Sequence, residues 1–199
     1  MLNLSQMKKP IIFLAALIYL AGLVYLSLPQ PIVPGLPGSL RSTEPGDTWQ
    51  HPEQSAYYTD LDREDVLGYY QRNFALRIGN FTVPSYRLNY PPEESHTYVR
   101  EQILTYYLEE INHPLRESLF VAGWNPRLSP ISNYLFDVQY DRWAMVIDGT
   151  EYQSKVTLRP YYSPLWARYL IWTTIFPLTY LVFTQLKLSK QRLLISITR

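Results

Sequence analysis

The sequence predicts a membrane protein in which two transmembrane α-helices flank an extracytoplasmic α+β domain, with two helices on a small, largely antiparallel sheet. Three observations lead to this prediction: a long apolar run near each end, basic residues without acidic ones outside both runs, and mixed helical and strand periodicity between them. The predicted segments are a cytoplasmic N-terminus (1–9), a first span (10–28), a proline-rich spacer (29–54), the extracytoplasmic domain (55–164), a second span (165–186) and a basic cytoplasmic tail (187–199).

The first apolar run covers the 18 residues 11–28 and contains no charged side chain. Its length is close to the ~20 residues that a helix needs to cross a hydrocarbon core of ~30 Å. A cleaved signal peptide is the alternative, because Lys8 and Lys9 precede the run. An uncleaved anchor is the better interpretation, since the run is longer than an ordinary signal-peptide core and no pair of small residues marks a cleavage site.

The second apolar run covers residues 165–186, and its one charged side chain is Arg168. A long side chain near the end of a span can reach the lipid headgroups. Tyr169 and Trp172 lie near the same end, where an interfacial aromatic belt would place them. Pro177 predicts a kink near the middle of the span. A buried core helix is the alternative, although such a helix rarely needs so long an apolar run.

The distribution of charge predicts the orientation. Residues 1–9 hold two lysines and no acidic residue, and residues 187–199 hold four basic residues and again no acidic one. The positive-inside rule therefore places both termini in the cytoplasm of a multi-pass cell-membrane protein. Residues 29–164 hold 11 basic and 17 acidic side chains, a net charge of −6. Such a domain has no surplus of positive charge for nucleic acid. The predicted partners are the bilayer and a membrane or envelope protein, with a homo-oligomer left open.

Composition also limits the chemistry of the domain. The sequence contains no cysteine, which excludes disulfides, thiolate metal sites and a cysteine nucleophile. Its three histidines have none of the spacings of metal ligands, so neither a metal nor another cofactor is predicted. No glycine-rich phosphate loop and no nucleophile-elbow motif occurs. The sequence therefore favours a protein that is not an enzyme.

A helix is predicted after a short strand at residues 56–61. Asp62 can accept a hydrogen bond from the first helical turn, where Glu64 and Asp65 meet the positive end of the helix dipole. Residues 76–88 then favour extended structure and a hairpin. Helical spacing places four apolar side chains on one face, namely Val66, Leu67, Tyr70 and Phe74.

The strongest helix signal of the domain covers residues 91–112. Pro91 and Pro92 suit a first helical turn, and Pro114 ends the pattern. The predicted apolar stripe consists of Val99, Ile103, Tyr107 and Ile111.

Strand signals follow this helix. Residues 118–122 are predicted to form a strand that turns at Gly123. A final hairpin is predicted to pair residues 143–147 with residues 152–158 around Asp148-Gly149, a favoured turn sequence. One face of its second strand should be buried and the other wet.

Glu109, Glu110, His113 and Arg116 form the densest group of ionisable residues near a predicted helix end. An acid close to a histidine can build a proton-transfer pair, which makes Glu109, Glu110 and His113 the catalytic candidates for a hydrolase or transferase. The alternative, and the stronger interpretation, is an ordinary solvated helix pair between Glu110 and His113.

Tyrosine is unusually frequent in the domain, since 14 of the 18 lie between residues 29 and 164. Several occur as adjacent pairs, and one member of each pair is expected to reach the surface, where tyrosine with arginine favours protein or carbohydrate contact. The alternative is that these rings fill a small core and the membrane-proximal rim. The predicted binding residues are Tyr58, Tyr69, Tyr106, Trp124 and Arg116.

Two stretches, RLNYPPE at residues 87–93 and YLEEINHPLRESLF at residues 107–120, resemble segments of uncharacterised small two-span membrane proteins of candidate-phylum (Patescibacteria-type) bacteria. The resemblance covers about half of the domain. It implies a bacterial envelope setting and brings no activity, cofactor or functional residue with it.

The sequence favours a non-catalytic, membrane-anchored envelope component that presents its extracytoplasmic domain for protein–protein interaction in a membrane complex. The first alternative is an extracytoplasmic glycan- or peptide-binding domain that acts through a partner. The second is a membrane-anchored hydrolase or transferase, which needs Glu109, Glu110 or His113 to converge on one site.

Overall fold

The computed structural model describes residues 4–48, 52–90, 105–128 and 145–197, which belong to two compact units. One unit comprises Met1–Pro29 with Ser163–Arg199, and the other comprises Gln30–Tyr162. The helices are α1 (Leu4–Ser27), α2 (Pro45–Thr48), α3 (Arg63–Asn73) and α4 (Leu165–Ile197). The strands are β1 (Leu40–Arg41), β2 (Ser55–Thr59), β3 (Leu76–Ile78), β4 (Phe81–Val83), β5 (Tyr86–Tyr90), β6 (Tyr107–His113), β7 (Glu117–Trp124), β8 (Met145–Ile147), β9 (Thr150–Tyr152) and β10 (Ser154–Tyr162).

The first unit consists of α1 and α4. Pro10–Ser27 and Leu165–Gln191 are each long and apolar enough to cross a membrane, and 6% and 0% of these segments are buried in the protein. Helix α4 does not end at residue 186. It continues to Ile197, through most of the predicted tail, at a rise of ~1.5 Å per residue.

Helices α1 and α4 pack through a glycine and several polar groups. Gly22 faces the indole of Trp172, and a Cβ atom at Gly22 would overlap that ring. Trp172 Nε1 donates to the carbonyl of Tyr19 at 3.1 Å, and the Ser27 and Tyr169 hydroxyls lie 2.7 Å apart. Small residues and side-chain hydrogen bonds of this kind let helices approach closely in an apolar solvent.

The expectation that the Arg168 side chain reaches the lipid headgroups is wrong. Its side chain does not extend outward, because the residue is only 2% exposed. Its Nε donates to the carbonyl of Ser163 at 2.8 Å, and its Nη1 donates to the carbonyl of Leu26, in the last turn of α1, at 3.4 Å. The last carbonyls of a helix have no partner within the helix, so a cation is favoured there.

The second unit is an α+β fold built on a six-stranded antiparallel sheet of order β1-β2-β10-β7-β6-β5. Two separate hairpins, β3–β4 and β8–β9, complete the strands that the described residues form. The predicted antiparallel sheet is therefore confirmed. The prediction of two helices on the sheet is not confirmed. The helices of this unit in the described part of the chain are α3, which was predicted, and the four-residue α2, which was not.

Helix α3 forms as its sequence predicts. Asp62 caps it by accepting a hydrogen bond from the Asp65 backbone N–H at 2.8 Å, and the strand before it is confirmed as β2. The predicted apolar face is buried against the sheet. The main core consists of Leu36, Tyr57, Val66, Leu67, Tyr70, Phe74, Tyr107, Ile111, Leu119, Val121, Val156 and Leu158.

The predicted spacer at residues 29–54 is not separate from the domain, which begins at Gln30 rather than near Ser55. Leu36 is 5% exposed and belongs to the main core, with Val33 packed against it. Strand β1 also pairs with β2. The prolines of residues 29–38 exclude a regular helix there, but they do not prevent single apolar side chains from packing or a short edge strand from pairing nearby.

The predicted helix at residues 91–112 is wrong in its C-terminal part, because Tyr107–His113 is strand β6. Residues 91–104 lie outside the described residues. An apolar pair at Tyr107 and Ile111 fits a helical period and also a period of two, so the pattern alone was ambiguous. Pairing with β5 on one side and β7 on the other makes this segment a strand rather than a helix. Gly123, opposite Tyr107, leaves room for its ring, since a Cβ atom there would overlap it.

The last strands match the predicted hairpin in part. Asp148 and Gly149 have φ angles of 49° and 80°, as a tight hairpin turn requires, and they join β8 to β9. The chain then continues as β10 between β2 and β7, with Ser154, Val156 and Leu158 buried as expected. Residues 143–144 of the predicted first strand lie outside the described residues.

Candidate functional site

Glu109 lies on the sheet face that packs against α3, and its side chain is fully buried. Arg63, the first residue of α3, donates to the carboxylate from Nε at 2.7 Å, and Arg87 of β5 donates from Nη2 at 2.8 Å. Arg87 also donates to Glu64 at 2.9 Å and 3.0 Å. These four side chains, Arg63, Glu64, Arg87 and Glu109, are called the Glu109 ion network below. The network ties the start of α3 to β5 and β6.

Glu110 faces the opposite side of the sheet from Glu109, because successive side chains of a strand alternate. Its carboxylate accepts hydrogen bonds from the Tyr90 hydroxyl and the Ser118 hydroxyl, each at 2.5 Å, and from Asn112 Nδ2 at 2.9 Å. Burial alone would raise the pKa of Glu110, but these three bonds outweigh it and lower the pKa below its usual value. Glu110 is therefore an ionised acceptor.

His113 is the last residue of β6, and its ring is completely buried against Phe74 at a centroid distance of 5.4 Å. Burial, reinforced by the charge of Arg116, lowers its pKa to about 4, so the ring is neutral at pH 7. Its Nδ1 lies 3.5 Å from Glu117, yet neither ring nitrogen has a hydrogen-bond partner among the described residues.

The three catalytic candidates therefore do not converge. Glu109 is engaged by two arginines, Glu110 points to the other face, and His113 packs at the end of the core. The predicted solvated helix pair of Glu110 and His113 is also wrong, because both lie buried on a strand. Among the described residues, no group of three or more histidine, aspartate and glutamate side chains could hold a metal ion.

The five predicted binding residues do not form an exposed surface. Tyr58 is 4% exposed, and its hydroxyl donates to Glu44 at 3.0 Å beneath the Lys155 ammonium. Arg116 is 1% exposed and donates to Glu117 at 2.9 Å and 3.3 Å. The expectation that these side chains reach solvent is wrong, since each finds its polar partner inside the protein.

The other three are half-buried. Tyr69 donates to the carbonyl of Gly35 at 3.0 Å, and Tyr106 packs edge-on against Tyr107. The Trp124 indole N–H is buried without a hydrogen-bond partner in the described part of the chain. The large apolar area of the tyrosine ring explains why so many tyrosines lie in the interior, although the hydroxyls of Tyr70 and Tyr107 have no hydrogen-bond partner among the described residues.

The structure reveals an exposed surface that the sequence reasoning missed. Strand β5 lies at the edge of the six-stranded sheet, and all five of its residues are exposed. Tyr86, Leu88 and Tyr90 are 61%, 44% and 36% exposed and share one face, and they are called the β5 edge surface below. The strict alternation of Tyr-Arg-Leu-Asn-Tyr was the available signal, because it marks a strand with one apolar face.

Fold and surface together describe an α+β protein with a six-stranded antiparallel sheet and two helices that are candidate membrane spans. Comparison with protein-family models, with curated proteins and with solved structures gave no match to this chain. The resemblance seen at residues 87–93 and 107–120 therefore stays a prediction.

Proposed function

We propose that this chain is a non-catalytic, membrane-anchored envelope protein that binds a partner protein through the edge strand β5. The observation that carries the proposal is the exposure of every residue of β5 at one edge of the sheet that the described residues form. An exposed strand edge presents unpaired backbone N–H and C=O groups, which template the addition of another strand.

The bilayer is the first partner in this proposal. A core helix of a soluble protein buries most of its apolar side chains, whereas α1 and α4 leave theirs exposed along the candidate spans. Exposed apolar patches of this size indicate contact with a membrane or another protein. The excess of basic residues outside both spans supports cytoplasmic termini and an extracytoplasmic domain.

Labelling of single cysteines tests this orientation, since the chain has no cysteine of its own. Leu128 in the domain is 56% exposed and Leu188 in α4 is 47% exposed, so Leu128→Cys and Leu188→Cys make a matched pair. A membrane-impermeant maleimide added to spheroplasts should label Cys at position 128 and leave position 188 unlabelled until the membrane is opened. Labelling of position 188 in sealed spheroplasts would contradict the proposed topology.

The proposed occupant of β5 is an extended segment of a partner protein. Added strands gain affinity from backbone hydrogen bonds and specificity from alternate side chains, here Tyr86, Leu88 and Tyr90. The opposite side of β5 is already engaged, since Arg87 and Asn89 bond to the Glu109 ion network. Strand β5 is thus ordered before a partner arrives, which lowers the entropic cost of binding.

Two alternative functions have less support. Two exposed tyrosines on β5 are compatible with stacking against a glycan, which keeps a glycan- or peptide-binding domain as the first alternative. A hydrolase or transferase gains no support from the described residues, because Glu109, Glu110 and His113 face different surroundings.

Two matched substitutions test the proposed surface. Leu88 and Val146 are both exposed strand residues, and each lies opposite a glutamate, Glu110 and Glu151 respectively. A photo-crosslinking phenylalanine derivative at Tyr86, but not at Val146, should form one defined adduct in native membranes. Leu88→Lys should reduce the amount of that adduct about tenfold, because it removes an apolar contact and because a lysine on an edge strand disfavours the addition of another strand. Val146→Lys should leave the amount of adduct unchanged.

Mass spectrometry of the adduct decides between the partners. A crosslink to an extended peptide segment supports strand addition. No adduct at position 86, or equal loss with both lysine variants, would contradict it, and a crosslinked sugar would favour the glycan alternative.

A further inference from the structure

A cleft of about 360 Å³ lies between the last turns of α3 and the β3–β4 hairpin, away from the β5 edge surface. Its lining carries two arginines and no acidic side chain. The lining residues are Gly68, Gln71, Arg72, Ala75, Arg77 and Thr82.

We propose that this cleft binds a small ligand bearing a carboxylate or phosphate group, held by the guanidinium groups of Arg72 and Arg77. Guanidinium presents a planar fork of N–H donors that matches both of these oxyanions. The Gln71 amide and the Thr82 hydroxyl line the same cleft and can donate further hydrogen bonds.

Most of the domain's other described arginines have a side-chain partner, and Arg41 is the exception. Arg63 and Arg87 bond to Glu109, and Arg116 and Arg127 bond to Glu117 and Glu151. Arg159 bonds to Gln54. Arg72 and Arg77, in contrast, form no ion pair or hydrogen bond with any described side chain, although the domain has an excess of acidic residues. Both residues are exposed, and an anion held in the cleft gains from the positive charge of each.

The local backbone favours this arrangement. Gly68 lies one turn before Arg72 on α3, and a Cβ atom at Gly68 would lie 3.4 Å from Arg72 Nη1. The guanidinium therefore rests directly over the glycine, although glycine within a helix costs up to ~1 kcal/mol relative to alanine. Arg77 and Thr82 lie opposite each other in the β3–β4 ladder, so their side chains share one face of the hairpin.

Isothermal titration calorimetry on the full chain in mild, uncharged detergent tests the proposal, with inorganic phosphate and succinate as separate probes in a buffer without other oxyanions. At least one probe should bind with a Kd of about 1 mM or tighter. Arg72→Gln and Arg77→Gln should each weaken that binding about tenfold, because each removes one of two charge-assisted contacts.

Arg41→Gln is the matched control, because Arg41 is an exposed arginine of the same domain that lies outside the cleft and bonds to no side chain among the described residues. Its binding should equal that of the unsubstituted protein, as should that of Leu88→Lys.

Binding of phosphate alone indicates a phosphate-bearing ligand, and binding of succinate alone indicates a carboxylate ligand. The absence of binding by both probes, or an equal loss in Arg41→Gln, would overturn the proposal. Unchanged thermal unfolding of all variants shows that the comparison concerns binding rather than folding.

Discussion

Replacing Glu109 by glutamine is expected to destabilise the domain by about 3–5 kcal/mol, the usual cost of removing one partner from a buried ion pair. The carboxylate is fully buried, and it neutralises both Arg63 and Arg87. Glutamine keeps the shape but removes the charge, so Arg63 loses its ion-pair partner among the described residues and Arg87 keeps only the exposed Glu64. Both guanidinium groups remain partly buried. With a typical domain stability of ~5–15 kcal/mol, this is a large fraction of the total.

Urea unfolding of the full chain in mild detergent, followed by tryptophan fluorescence, measures this effect. Glu64→Gln is the control, because Glu64 bonds to the same Arg87 but its side chain is 70% exposed. Solvent screens an exposed ion pair, so the control should unfold almost as the unsubstituted protein does. Equal effects of the two substitutions would show that the Glu109 ion network does not hold α3 to the sheet.

Stability of the domain is expected to fall by up to about 3 kcal/mol as pH decreases from 6.5 to 4, owing to His113 alone. In the unfolded chain this histidine binds a proton below its ordinary pKa of ~6.5. In the folded protein burial and Arg116 lower the pKa to about 4, so the folded state resists protonation over this range. The unfolded state therefore binds more protons, and stability is present above pH 6.5 and lost as pH falls toward 4.

The measurement compares urea unfolding of the unsubstituted protein and His113→Gln at several pH values between 7 and 4. Carboxylates titrate in both proteins, so the difference between the two profiles isolates His113. The groups that face its ring are Phe74 directly after α3, Glu117 on β7 and Arg116 in the connecting turn. Parallel profiles would mean that protonation of His113 in the folded protein does not lower the free energy of unfolding, because the imidazolium forms an ion pair with Glu117.

Local signals predicted several elements well. Asp62 identified the start of α3, because an aspartate followed by two acids and an apolar stripe is typical of a helix N-terminus. Asp148-Gly149 identified a hairpin, because both residues tolerate positive φ. In each case the decisive interaction is made between residues close in the chain, and sequence alone contains it.

Non-local contacts account for the failures. The segment 107–113 carries an apolar spacing that suits a helix as well as a strand, and only pairing with β5 and β7 makes it β6. That change of element also moved Glu109 and Glu110 to opposite faces of the sheet. The residues proposed as sites were misplaced for the same reason, since the burial of Tyr58 or Arg116 depends on segments distant in sequence.

The exposed β5 edge and the Arg72–Arg77 cleft arise in the same way. Residues 72 and 77 are close in the chain, but their common lining with Thr82 requires the turn of the β3–β4 hairpin. No periodicity shows whether a guanidinium has a carboxylate partner, because that partner is supplied by another element.

By itself the sequence determined two long apolar segments, an acidic domain between them, the cap and inner face of α3, and the turn between β8 and β9, since each depends on composition or on residues a few positions apart. Only the tertiary structure decided that residues 30–54 belong to the domain, that β6 is a strand, and that β5 lies at the edge of the sheet formed by the described residues. The physical reason is that sheet pairing and charge neutralisation join residues far apart in the chain, and their free energy outweighs local preference.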